Sequence, residues 1–137
     1  MKVIFDTNIY ISWIRERKYP ELLLNRYTQK YISCIVLTEL WAGAKTKPAI
    51  RLMEKLQQPY LKAGRVSLLS VNQCILAGQI LSDFPDNYRD KVKAASFVND
   101  IYIGLTAVSI GAVLYTENKE DFEIIREYLK KLRVQFV

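Results

Sequence analysis

The chain contains no histidine. That absence excludes a Ser-His-Asp triad, a Cys-His pair and a metal-free ribonuclease site built on a histidine acid and base. Catalysis at neutral pH is left to carboxylates, Lys, Tyr, Ser or Thr, or to a bound metal. Cysteine is nearly absent as well. Cys34 and Cys74 each sit in an apolar stretch and read as small core residues of a reduced compartment, not as a disulfide. Two cysteines without histidine also argue against a zinc site. Only 5 glycines and 4 prolines occur, which argues against long disordered linkers. The uncharged stretch Ile101–Thr116 has 16 residues, is divided by Gly111, and falls short of the about 20 needed to span a bilayer. The chain enters its first strand directly, with no leader pattern ahead of it. A soluble, cytoplasmic protein with no membrane partner is expected.

What is present is an ordinary globular balance, 50% hydrophobic and 25% charged, over 137 residues. That length predicts one domain, residues 1–137, with a sizeable core. The formal charge of +6 suits a polyanionic partner, of which nucleic acid is the commonest.

The opening stretch organises the reading. Val3-Ile4-Phe5 is a short apolar run closed by Asp6-Thr7-Asn8, which predicts a buried strand ending in a carboxylate and followed at once by a helix. Ligands bind at the carboxyl ends of strands in open α/β sheets. Asp6 is therefore a site candidate, although Asp6 or Asn8 as a plain helix cap explains the same pattern. Further on, the spacing predicts a helix from Glu21 to about Lys30 and a strand over Tyr31–Val36. A helix then starts at Leu37 and is interrupted near Gly43, and an amphipathic helix covers Ala49–Gln58 with Ile50, Met53 and Leu56 inward. A third strand over Arg65–Val71 is followed by a helix capped by Asn72. A nearly all-apolar helix opens at Asn99-Asp100 and ends at Gly111. A fourth strand covers Ala112–Tyr115, a last helix about Asp121–Leu132, and an edge strand Val134–Val137. Apolar strands alternating with helices argue for a mostly parallel sheet of four to five strands covered on both faces.

On such a sheet the acids fall together. Asp6 ends the first strand, Glu39 follows the second, Asp100 opens the buried helix, and Asp121 lies in the turn after the fourth strand. Each has a plainer explanation: Glu39 as a solvated helix residue, Asp100 and Asp121 as caps. Against these, Glu39 has Val36 and Ile35 one turn back, and Gly104 one turn beyond Asp100 leaves room for an approaching group. Two carboxylates about 4 Å apart repel by about 4 kcal/mol at an effective dielectric of 20, so a partly buried cluster calls for a cation. Carboxylate oxygens without His or Cys select Mg²⁺ or Mn²⁺. The physical reading is a divalent-metal phosphodiesterase acting on a polyanion.

The ordered set Phe5-Asp6-Thr7-Asn8, Thr38-Glu39-Leu40 with Gly43, Asn99-Asp100-Ile101 with Ala107, and Thr116-x-Asn118-x-x-Asp121-Phe122 resembles PIN-domain ribonucleases, and among them the VapC-type toxins of toxin–antitoxin pairs. The resemblance implies a three-layer α/β/α sandwich and Mg²⁺- or Mn²⁺-dependent endoribonuclease activity. By the same likeness Asp6, Glu39 and Asp100 hold the metal, and Thr7, Asn8 and Thr116 orient ligands or waters. Asn118 stands where the family has a polar or acidic residue, and Asp121 one turn on is the other candidate to complete the catalytic set. A homodimer and a small antitoxin covering the site are implied too. Arg89, Lys91 and Lys93, before Asp100, are candidates for RNA phosphates, with a solvated loop as the alternative. Trp13 and Trp41 read as core or partner contacts. Two other readings stay open: a non-catalytic RNA- or partner-binding module of the same fold, favoured by the neutral Asn118, and a phosphotransfer domain using Asp6 as nucleophile.

Overall fold

The computed structural model describes residues 1–137. Five parallel strands form one sheet in the order β3-β2-β1-β4-β5. They are β1 (Lys2–Phe5), β2 (Gln29–Ser33), β3 (Val66–Ser67), β4 (Val113–Thr116) and β5 (Arg133–Phe136). β1 is central, pairing Val3 with Lys30 on one side and with Val113 on the other. Val3, Ile4 and Phe5 are buried, as a strand covered on both faces requires. Eight helices and one 3-10 turn connect the strands and complete the three-layer α/β/α arrangement. They are α1 (Thr7–Glu16), α2 (Pro20–Leu23), α3 (Cys34–Ala42), α4 (Lys47–Ala63), α5 (Val71–Asp83), α6 (Arg89–Lys93), α7 (Ala95–Ile110) and α8 (Lys119–Tyr128). The central member is α7, which packs on β1 and β4 and also touches α3, α5, α6 and α8. Its all-round apolar surface follows from that position.

Several expected boundaries move. The helix expected over Glu21–Lys30 is only the single turn α2. Asn25 Oδ1 accepts the Tyr27 amide at 2.8 Å in a local turn, and β2 already begins at Gln29. Tyr27 is left 94% exposed. The second strand ends at Ser33, not Val36. The Ser33 hydroxyl accepts the Ile35 amide at 3.0 Å and caps α3, so the apolar run Cys34–Leu37 is helical. The third strand shrinks to two edge residues, with Leu68 and Val71 exposed beyond it. Ser70, not Asn72, caps α5, in a reciprocal box with Gln73. The fourth helix is longer than expected, running through Pro59 to Gly64 in the left-handed region, and Ile50 lies at its exposed side. The last helix starts at Lys119 under an Asn118 cap and ends at Tyr128. Cys34 is half-buried and Cys74 is exposed, so Cys74 is not the core residue expected. No helix is long and apolar enough to cross a membrane.

Candidate metal centre

At the carboxyl end of the sheet a cleft of about 290 Å³ is lined by Asp6, Thr7, Asn8, Ile11, Glu39, Ser96, Asp100, Asn118 and Asp121. The side chains singled out in four separate stretches of sequence thus share one wall.

Asp6 both caps a helix and faces the cleft. Its backbone N–H donates to the Tyr115 carbonyl at 3.0 Å, tying the end of β1 to β4. Oδ1 accepts the Thr7 amide at 2.7 Å, the cap of α1. Oδ2 accepts the Thr116 hydroxyl at 2.7 Å and the Asn8 amide at 3.1 Å. Asn8 in turn accepts the Glu117 amide at 3.1 Å, and the Thr116 hydroxyl accepts the Asn118 amide at 2.9 Å. These bonds lock the turn after β4 against the start of α1.

Glu39, in the second turn of α3, accepts the Thr7 hydroxyl at 2.7 Å. It is neither fully buried nor fully solvated. Asp100 does not open its helix. α7 begins at Ala95, which puts Asp100 in the second turn and excludes the cap reading. The same shift brings Ser96, one turn before Asp100, into the cleft, a residue the sequence reading missed because it began the helix too late. Asn118 is the cap of α8, accepting the Asp121 amide at 3.2 Å. Its own amide donates to Asp100 Oδ2 at 3.0 Å and to Asp121 Oδ2 at 3.2 Å, bridging the two acids. Asp121 lies inside the first turn of α8 and is not its cap.

Two further placements differ from expectation. Lys91 is paired with Asp121 Oδ1 at 2.6 Å, whereas Arg89 and Lys93 on α6 are exposed and make no ion pair. Gly104 opens no path to Asp100. A Cβ there would meet Leu129 and Leu132 at 3.4 Å, so its role is close packing of α7 against the C-terminal segment. Glu117, unremarked in the sequence, accepts from Ser12 at 2.5 Å and from Tyr19 at 3.0 Å beside the cleft.

The electrostatics follow from crowding. Burial, and then the charges of Asp6, Asp121 and Glu39, push the Asp100 carboxyl up to about 8, against the lowering effect of the Asn118 bond. Burial raises Asp6 too, opposed by the bonds from Thr116 and Thr7. No three acids close around a single point tightly enough to hold an ion alone. The donor set is all oxygen and carries excess negative charge, which fits a hard dication that keeps waters and takes further ligands from a phosphate. A larger hollow of about 430 Å³ between α1, β2 and α4 is lined by Lys30, Lys55 and Arg65 and by no acid, so it does not suit a cation.

A family model for the PIN domain matches residues 3–128. No curated protein matches the chain by sequence. Among solved structures, a chain of VapBC2 from Rickettsia felis, bound to a DNA fragment from its promoter, is 25% identical with a TM-score of 0.66, over 100% of this chain and 99% of that one. A chain of the DNA-bound VapBC from Salmonella typhimurium is 26% identical with a TM-score of 0.65, over 99% and 98%. VapBC-1 from nontypeable Haemophilus influenzae gives 25% and 0.66, over 99% and 98%.

Proposed function

The chain belongs to the PIN domain family, and from that membership we propose that it is a divalent-metal-dependent endoribonuclease, the toxin partner of a VapBC-type toxin–antitoxin pair. The observation that carries the reading is the single cleft at the carboxyl end of the sheet into which Asp6, Glu39, Asp100 and Asp121 converge, crowding that raises the Asp100 carboxyl. Such a cleft is stabilised by a dication.

Asp6 and Asp100 would hold Mg²⁺ or Mn²⁺ most directly, with Glu39 as the third acid. A dication there supplies positive charge to a phosphodiester and acidifies water for attack on it. The chain's own residues supply the positioning. Three donors fix the two oxygens of Asp6, so the carboxylate faces the cleft without rotating. Thr7 holds Glu39, and Asn118 holds Asp100. Their geometry is thus set before substrate arrives, which lowers the reorganisation needed during reaction. Arg89 and Lys93, exposed and without an ion pair, would be the residues that meet RNA phosphates.

Two surfaces fit the partners. An apolar groove of about 150 Å³ between α1, α3 and α4 is lined by Ile14, Leu40, Ala44, Leu52 and Met53, and shares Ile11 and Glu39 with the cleft. An antitoxin segment lying in it would cover the site. Leu68, just before α5, and Val71 and Ile75, in its first turns, are 73%, 77% and 54% exposed, which would suit a homodimer contact.

The neutral Asn118 favours a second reading, a module that binds RNA without cutting it. The Asp6 nucleophile reading is disfavoured, because Asn8, two residues on, is neutral and donates to Asp6 instead of supplying a second acid. RNA digestion with Mg²⁺ or Mn²⁺, with EDTA, and with Asp6→Asn and Asp100→Asn separates the readings. Cleavage lost in EDTA and in both variants, with folding retained by circular dichroism, supports the nuclease. Cleavage that survives either treatment rejects it, and tight RNA binding without cleavage supports the module.

A further inference from the structure

We propose that Lys91 is the built-in second cation of this site. Its ammonium balances the charge of Asp121, so the cleft would hold one divalent ion and not two. The inference rests on the nuclease reading above and concerns how its charge is balanced.

The geometry is a chain of hydrogen bonds. Lys91 Nζ donates to Asp121 Oδ1 at 2.6 Å, and Asp121 Oδ2 accepts the Asn118 amide at 3.2 Å. The same amide donates to Asp100 Oδ2 at 3.0 Å. Both oxygens of Asp121 are therefore engaged, although the side chain lines the cleft. Lys91 is held as well as paired. Its side chain is 27% exposed, Glu120 lies 3.8 Å away, and the ammonium sits 5.5 Å from the centroid of the buried Phe97 ring. No other ion pair in the molecule involves a cleft acid.

Sequence and fold make the arrangement stable. α6 carries Lys91 and turns at Ala94 directly into α7, which carries Asp100 and Phe97. The short connection sets α6 against α7 at the Phe97 ring, from where the Lys91 ammonium reaches across to Asp121 on α8. A partly desolvated pair of this kind is held by more than an exposed one. Charge arithmetic points the same way. Lys91 offsets Asp121, and Asn118 adds no charge between Asp121 and Asp100. The uncompensated acids are Asp6, Asp100 and Glu39, enough for one dication but poor for two.

The test counts ions. Mn²⁺ is titrated into the full-length protein by calorimetry, with free Mn²⁺ followed by electron paramagnetic resonance. The proteins are wild type, Lys91→Met, Lys91→Arg, and Lys91→Met combined with Asp121→Asn; near-ultraviolet circular dichroism checks folding, and Lys91→Gln replaces Lys91→Met if that variant misfolds. The expected result is one ion for wild type, two for Lys91→Met, one for Lys91→Arg and one for the double variant. The first ion also binds Lys91→Met about tenfold tighter, the scale of one neighbouring unit charge in a wet cleft. Two ions in wild type, or one ion in a folded Lys91→Met protein, overturns the inference while leaving the nuclease reading intact. No ion in wild type overturns both.

Discussion

Thr116 is fully buried, and its hydroxyl donates to Asp6 Oδ2 at 2.7 Å while accepting the Asn118 amide at 2.9 Å. Thr116→Val keeps the shape and removes these bonds, together with the one at 3.3 Å that the hydroxyl accepts from the Asn8 side chain. It leaves the Asn118 amide unpaired and takes from Asp6 one of the groups that hold its carboxyl down. A loss of about 1–3 kcal/mol in denaturant unfolding is expected, and the Asp6 carboxyl, read by carbonyl NMR, moves further upward. Asp100 gives a pH prediction. Unfolded, its carboxyl titrates near 3.8; folded, near 8. Between those values the folded protein keeps a proton that the unfolded chain has released, so stability falls as pH rises through that window. Asp6 is shifted in the same direction. In the absence of divalent ions Tm therefore declines from about pH 5 to about pH 8, and Asp100→Asn flattens the slope. Added Mn²⁺ raises Tm more at the upper end than at the lower. A flat Tm profile in the metal-free wild type contradicts this account.

Helix starts decide where the functional side chains point. Ser33, ending β2, begins α3 early enough that Glu39 comes round to Thr7, and Ala95 begins α7 early enough that Ser96 and Asp100 share a face. Neither start was read correctly from the chain. A short apolar run such as Cys34-Ile35-Val36-Leu37 suits a buried strand and a buried helix equally, and Ala94 offers no capping side chain to mark α7. Gly104 tests the packing of α7. A Cβ there makes ordinary contact at 3.4 Å with Leu129 and Leu132, so Gly104→Ala is neutral or stabilises by up to about 1 kcal/mol. Gly104→Leu has no such room and is expected to destabilise by about 1–3 kcal/mol in thermal or denaturant unfolding. At the start of α5, Ser70→Ala breaks the reciprocal box with Gln73 and costs about 1 kcal/mol.

Across the whole molecule, the acids gather at the carboxyl end of the sheet while the net charge stays positive. A polyanion is attracted by the overall charge and meets the acidic cleft only where a cation balances it. The proposed RNA cleavage is thus expected to weaken steeply with added monovalent salt, measured as kcat/KM from low to high ionic strength. The apolar patch on α5 makes a separate prediction. On the proposed homodimer contact, Val71→Asp together with Ile75→Asp is expected to leave only monomer in sedimentation velocity, and an unchanged sedimentation coefficient contradicts that contact.

Composition and pattern alone determined a great deal. The absence of histidine restricted the chemistry, the buried run Val3–Phe5 located the central strand, and alternating elements specified a parallel sheet whose carboxyl end gathers Asp6, Glu39, Asp100 and Asp121. These features are local or periodic, so a linear chain displays them. The pairing of Lys91 with Asp121, the bridge of Asn118 between two acids, and the packing role of Gly104 were decided only by the tertiary structure. Each joins residues distant along the chain, and such contacts depend on helix starts and crossings that shift by a few residues without changing the apolar pattern.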